Sequence, residues 1–348
     1  MSRRILFAIR SKLGDTLVSY AAVRAYVDAH PGDAVTLLTR TDYARLFEGD
    51  RDLRVIGFNS RIGMFFRLLW LRLSEPGFDV LGVLWGSGKP IATIGRCVKA
   101  TRKIAWSRKF APEIFEQGEL PQEYPQVAPA MSVVRAFAPE TPQAVRTFIP
   151  SLAARHAATT RAHEVIGIAP TADELRRNFD APTLLILLTE LRRRHPDALL
   201  RIYVNPNIEG ARALMQTRLP PGCEWRSFRD LRELVGQYME LSAWVGTDTG
   251  LYHLAVALGM PATLFFGPSQ PHKVVMPAQP AVTWARLAVL GETHCEQKDC
   301  VRPCCLHQAV AGYCRVPGPT SINETPAACP LRAHPVSALQ ELRLHEPA

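Results

Sequence analysis

The chain has no apolar run near the ~18 residues that a membrane-spanning helix needs. No export leader is expected either. Met1-Ser2-Arg3-Arg4 leads into only five apolar residues, Ile5 to Ile9, before Arg10 breaks the run. That run reads as a first β-strand. The expected location is therefore cytoplasmic, with the surface of an inner membrane as an alternative station. Helix-turn-helix, RNA-recognition and zinc-finger signatures are missing and the arginines are scattered, so nucleic acid is not an expected partner.

What is present bounds the rest. A length of 348 residues suggests two domains at about 100–200 residues each. Apolar residues make up 47%, enough for a core in each half. The formal net charge of +9 suits anionic partners such as nucleotide-sugars or phospholipid surfaces.

Short apolar runs alternate with helical periodicity from the start. Ile5–Ile9, Val35–Leu38, Arg54–Phe58, Val80–Trp85 and Lys103–Ala105 read as buried strands. Helical patterns fall between them, which argues for a parallel sheet flanked by helices. Pro139, Pro142 and Pro150 mark a linker, and Ala153–Ala162 reads as a connecting helix. The rhythm then restarts, with strands at Val165–Ala169, Leu199–Val204, Ala243–Gly246 and Ala262–Phe266. After Trp284 it is lost, and Val336–Leu344 reads as a closing helix. The expected organisation is an N-terminal domain over 1–150, a second over 151–330 that includes a Cys-rich segment at 294–330, and a terminal helix over 331–348. Ligands are expected in a cleft between the halves, outside the carboxyl ends of the strands.

Two polar turns sit where such ligands would bind. Gly14-Asp15 follows the first strand and opens the first helix. Asp15 reads either as an N-cap or as a general base for an acceptor hydroxyl. Arg10 and Lys12, just before it, are candidates for an anionic acceptor or ordinary solvated charges. The second turn, Thr247-Asp248-Thr249-Gly250, ends an apolar run and leads into a helix with His253 on its first turn. Backbone amides, hydroxyls and an imidazole at a helix N-terminus favour a phosphate. The bland reading is a capped turn with a packed His253. Asp-Thr-Gly also occurs in aspartic proteases, but those need a second carboxylate on an all-β scaffold, and one triplet within a βα pattern excludes them.

Arg10-Ser11-Lys12-Leu13-Gly14-Asp15-Thr16-Leu17 resembles the opening of the ADP-heptose:lipopolysaccharide heptosyltransferases, glycosyltransferase family 9. Asp248-Thr249-Gly250-Leu251-Tyr252-His253-Leu254-Ala255, with Pro261 and Phe266-Gly267-Pro268-Ser269-Gln270-Pro271, is similar to that family's donor-site signature. The resemblance implies an α/β fold of GT-B type, two Rossmann-like domains with parallel sheets facing across a cleft. It implies inverting transfer of a heptose from ADP-heptose to a lipopolysaccharide-core or related glycan acceptor, with no metal required for the chemistry. By the same resemblance Asp15 is the base, and Asp248, Thr249, Gly250 and His253 contact the donor. A family Lys that steadies the diphosphate is matched by Arg177 in Arg176-Arg177-Asn178-Phe179, which keeps the charge but changes reach and fork geometry. The alternatives are a related enzyme using another nucleotide-sugar and a non-catalytic relative that binds a nucleotide or glycan.

Three features stand outside that scheme. Asp50-Arg51-Asp52 has the form of a metal-binding Asp-x-Asp, but its polar setting reads as an ordinary turn. Cys295, Cys300, Cys304, Cys305, Cys314 and Cys329 crowd together without the paired C-x2-C of a zinc ribbon. They read as inert or disulfide-prone loop cysteines, or as a structural zinc or iron site. Finally, Ile62–Leu73 is strongly apolar with two arginines. It reads by default as a core helix, and alternatively as a helix lying in a membrane interface.

Overall fold

The structure is a computed structural model. It describes residues 2–50, 52–86, 89–106, 111–118, 126–143, 145–173, 178–179, 181–208, 210–266, 274–276 and 282–286. Contacts divide the chain between Ala157 and Ala158, with a short piece at Val275 and Met276 counted with the first unit.

The first unit runs β1 (Arg4–Ile9), α1 (Leu13–Ala29), β2 (Ala34–Arg40), α2 (Thr41–Phe47), β3 (Arg54–Phe58), α3 (Arg61–Ser74), β4 (Phe78–Trp85), α4 (Lys89–Cys97), β5 (Ala100–Ala105), β6 (Glu116–Gln117), α5 (Ala128–Arg135) and α6 (Pro150–Ala157). The second runs β7 (Val165–Ala169), α7 (Ala181–Arg194), β8 (Leu199–Tyr203), α8 (Ala211–Met215), β9 (Cys223–Arg226), α9 (Leu231–Met239), β10 (Ala243–Thr247), α10 (Gly250–Ala257), β11 (Ala262–Phe266) and β12 (Val282–Arg286).

Each unit holds one six-stranded parallel sheet. The orders are β3-β2-β1-β4-β5-β6 and β12-β11-β10-β7-β8-β9. By rank within its unit, each order is 3-2-1-4-5-6, the doubly wound arrangement in which the winding reverses between the first and fourth strands. Helices cover both faces of such a sheet, so its central strands are apolar on both sides. Ile5 to Ile9 in β1 and Val165 to Ala169 in β7 are accordingly buried throughout. In the first unit Leu6, Leu81 and Val83 pack with Met64, Leu68 and Ile94. In the second, Ile166, Ile168 and Val245 pack with Leu184, Leu188 and Leu191 of α7.

Several expectations are corrected. The connecting helix spans Pro150–Ala157 rather than 153–162 and goes with the first unit. Proline is at home in a helix's first turn, so Pro150 opens the helix instead of ending the linker. The expected boundary at 150/151 therefore moves to 157/158. The βα rhythm also persists to Arg286, because β12 pairs with β11 over Ala262↔Val282 to Phe266↔Arg286. β9 was not expected either; its residues are half-buried throughout, which weakens the apolar signal of a strand. The apolar segment at 62–73 is a helix, but not a core helix. Only Met64, Leu68 and Leu71 of α3 are buried. The expected closing helix at 336–344 lies outside the described residues.

Candidate functional site

The switch point of the first sheet lies between β1 and β4, and Asp15 sits just past β1. It occupies the first turn of α1 but does not cap it. The cap position is Lys12, which makes no side-chain capping bond. The N-cap reading of Asp15 is thereby corrected. Its carboxylate instead accepts hydrogen bonds on both oxygens, from the Ser11 hydroxyl at Oδ2 and from Gln126 Nε2 at Oδ1, the latter at 3.3 Å. Those two donors fix the plane of the carboxylate, and the helix N-terminus favours its charge.

Arg10 leaves the end of β1 beside it, and its backbone N–H donates to Trp85 O of β4 at 3.0 Å. Burial, reinforced by the positive charges of Arg61 and Arg40, pushes the Arg10 guanidinium below its ordinary value. It remains a cation, since arginine is not deprotonated in proteins. Arg10 has no ion-pair partner among the described residues, and Arg40 pairs with Asp42 at 3.5 Å and lies over the Tyr43 ring at 5.3 Å. Lys12 lies exposed at the same edge. Cations of one sign gathered at a strand C-terminal edge make an anion seat. Arg40, Arg61, Ser11 and Gln126 were not singled out in the sequence. They come from separate elements, and Gln126 is 111 positions from Asp15. Trp85 and Trp106, at the ends of β4 and β5, stack at 5.6 Å on the same edge. Gly86 follows with φ of 148°, and a Cβ there would lie 2.5 Å from Ile91 Cδ1.

The switch point of the second sheet lies between β7 and β10, and Thr247, Asp248, Thr249, Gly250 and His253 come together there. Of the two capping candidates the structure selects Thr249, whose Oγ1 accepts from Leu251 N at 2.9 Å. Asp248 is 8% exposed and His253 2%. The His253 ring lies 4.8 Å from the Tyr252 ring, and Tyr252 in turn packs on Trp244 at 5.8 Å. Burial, then the Asp248 charge, pushes the Tyr252 phenol well up, so it stays neutral. Thr247 Oγ1 is buried and has no hydrogen-bond partner among the described residues. β10 approaches β7 so closely that a Cβ at Gly246 would lie 2.4 Å from Ala169 O.

The other side of this switch point is the segment after β7. Asn178 is buried, and its Oδ1 accepts from Ala172 N at 2.6 Å. Phe179 N donates to Pro170 O at 2.8 Å, and its ring meets Phe265 edge-on at 5.9 Å. These contacts anchor Asn178 and Phe179, which follow Arg177; Arg177 itself lies outside the described residues.

The six clustered cysteines, Cys295 to Cys329, also lie outside them, and no metal-type cluster of His, Cys, Asp and Glu occurs among the described residues. Asp50 and Asp52 diverge. Asp50 is buried, which raises its pKa, whereas Asp52 is exposed near Arg24 at 3.7 Å. Among the described residues no helix is long and apolar enough to cross a membrane.

The model of glycosyltransferase family 9 (heptosyltransferase) matches residues 228–306, a span that includes the Asp248–His253 turn. No curated protein matches the sequence. Among solved structures, the ADP-heptose lipopolysaccharide heptosyltransferase II of E. coli superposes with a TM-score of 0.64 at 17% identity, over 86% of this chain and 95% of that one. The E. coli heptosyltransferase WaaC, solved with ADP, gives 0.64 at 18% identity over 81% and 93%. The iron-containing dodecameric glycosyltransferase TibC of enterotoxigenic E. coli gives 0.52 at 14% identity over 84% and 64%. At such identities the structural likeness shows the fold, which is GT-B. The sequence pattern of glycosyltransferase family 9, the heptosyltransferase family, is thus matched over part of the second unit, and the fold of the chain is that of the GT-B glycosyltransferases.

Proposed function

We propose that the chain is an inverting glycosyltransferase that moves a heptose from ADP-heptose to a lipopolysaccharide-core or related glycan acceptor at an inner-membrane surface. The carrying observation is that each sheet presents its candidate residues at its own switch point: a fixed carboxylate beside several cations in one unit, an amide-rich helix N-terminus in the other. In this reading Asp15 takes the proton of the acceptor hydroxyl. The freed oxygen bonds to the anomeric carbon as the bond to the diphosphate breaks, through an oxocarbenium-like state. ADP departs with the electron pair. The amides at the start of α10, Thr247, Thr249, His253 and Arg177 hold the diphosphate and offset its growing charge without a metal. Gly250 lets the phosphate approach the backbone. Arg10 and Lys12, joined by Arg40 and Arg61, hold an anionic group of the acceptor.

Two relatives are solved with ADP or with a name that specifies ADP-heptose, which supports that donor. Arg177, standing where the family has Lys, favours a second reading in which the donor is another nucleotide-sugar. Turnover measured with ADP-heptose against UDP- and GDP-linked sugars decides between them: the first reading expects release of ADP alone. Binding of nucleotide without turnover of any donor would instead reveal a non-catalytic relative.

For the cysteines we propose a structural iron or zinc, since clustered thiolates suit either metal and TibC is described as iron-containing. Elemental analysis of anaerobically prepared protein is expected to find stoichiometric metal, and protein free of both metals would sink the idea.

A further inference from the structure

Seven large apolar side chains are exposed among the described residues, and six of them, Ile62, Phe65, Phe66, Leu69, Trp70 and Leu73, are on α3. Ile62 is 71% exposed and Leu73 77%, in a helix of only fourteen residues. Scattered apolar residues are normal on a protein surface, but a contiguous group marks an interaction site.

The arrangement on the helix is specific. Met64, Leu68 and Leu71 form the buried stripe that seats α3 against the sheet. At about 100° of turn per residue, Ile62, Phe66, Leu69 and Leu73 fall on the opposite side, with Phe65 and Trp70 at the margins of that face. Arg61 and Arg72 lie along one flank and Arg67 along the other. α3 is therefore apolar on two opposed faces with arginines between them, and no acidic residue lies within it. Glu75, just past its end, is matched by both Arg4 and Arg54. Arg54 also covers the Trp70 ring at 5.4 Å. The surface that α3 presents is apolar at its centre and cationic at its rim.

We propose that this face of α3 docks the enzyme onto an anionic phospholipid bilayer, with the apolar side chains among the acyl chains and the flanking arginines at the lipid phosphates. Aromatic and leucine side chains on one face with Arg on the flanks are what an interface-lying helix requires. Long arginine stems reach sideways to headgroups while the helix body sits lower. A second copy of the chain is a poorer occupant, because a two-fold contact through this face would bring like-charged rims together. The helix starts at Arg61, one of the cations around Arg10, so a membrane held by α3 lies next to the unit that carries Asp15. The choice of a membrane-borne acceptor rests on the proposed function; the docking surface itself does not.

The test needs neither donor nor acceptor, so its failure is separable from failure of the transfer reading. Full-length protein is sedimented with vesicles of phosphatidylethanolamine and phosphatidylglycerol, and with vesicles of phosphatidylcholine alone, at low and high salt. The expected result is binding to the anionic vesicles, weaker binding to the neutral ones, and partial loss with salt, which leaves the apolar contribution. The double variant Phe66→Asp/Leu73→Asp should lower the bound fraction by about tenfold, while Ile186→Asp, on the exposed face of α7, leaves it unchanged. If the double variant does not fold, Arg67→Glu alone should still weaken binding to anionic vesicles and leave the salt-insensitive remainder intact. Wild-type protein that stays in the supernatant with both vesicle types overturns the proposal. So does a folded double variant that binds like wild type. Concentration-dependent self-association that the double variant abolishes, without vesicle binding, assigns the face to a second copy.

Discussion

Asp15 and Asp248 each follow a strand at a sheet's switch point, yet their surroundings differ. Asp15 is half-buried and held by Ser11 and Gln126, which leaves an oriented, reachable carboxylate. Asp248 is buried against the first turn of α10. Removing the orienting donors should therefore slow transfer without weakening donor binding. Ser11→Ala is expected to lower kcat with the donor KM unchanged, and steady-state kinetics with varied donor checks it. Thr249→Ala should cost about 1 kcal/mol of stability through the lost cap, read by urea unfolding, and should also raise the donor KM. Both aspartates were legible in the sequence because each stands in a small polar turn between a strand and a helix, Asp15 beside Gly14 and Asp248 two residues before Gly250. Gln126, Arg40 and Arg61 were not, since only the fold brings those separate elements to Asp15 and Arg10.

At the scale of the element, β10 and α7 give sharp tests. A methyl at Gly246 meets the backbone oxygen of Ala169, which cannot move without parting two central strands. Gly246→Ala should destabilise the second unit by about 1–3 kcal/mol, measured by thermal unfolding. On α7, hydrogen bonds from Arg193 and then Arg194 pull Glu190 from its usual 4.5 down to about 2. A carboxyl with a depressed folded pKa adds stability that is complete above 4.5 and fades as the pH falls towards about 2. Glu190→Gln should cost about 0.2–1 kcal/mol at neutral pH, the range of ion pairs open to solvent. The gap should narrow in urea melts at pH 3, and a gap that stays constant contradicts the assignment. α3 shows where sequence reading failed at this scale. Its composition suits a core helix, and nothing in the sequence says that only three side chains find a core to enter. β9 and β12 were missed for another reason: β9 is only half-buried, and β12 follows residues that break the alternation.

For the whole molecule, the doubling of one strand order explains why so much was legible. Both sheets wind as 3-2-1-4-5-6 by rank, and in both the strands alternate with helices at similar intervals. The repeat therefore shows in the sequence even where single elements do not. The boundary was misplaced because Pro150 looks like a linker residue and acts as a helix opener. The central claim is that the unit carrying Asp15 supplies the base while the unit carrying Asp248 binds the donor. The direct measurement is transfer and ADP-heptose binding, side by side, for Asp15→Asn. The expected result is a loss of turnover of about a hundredfold or more with donor affinity at the wild-type value. Turnover equal to wild type, or a loss fully accounted for by lost donor binding, would contradict it.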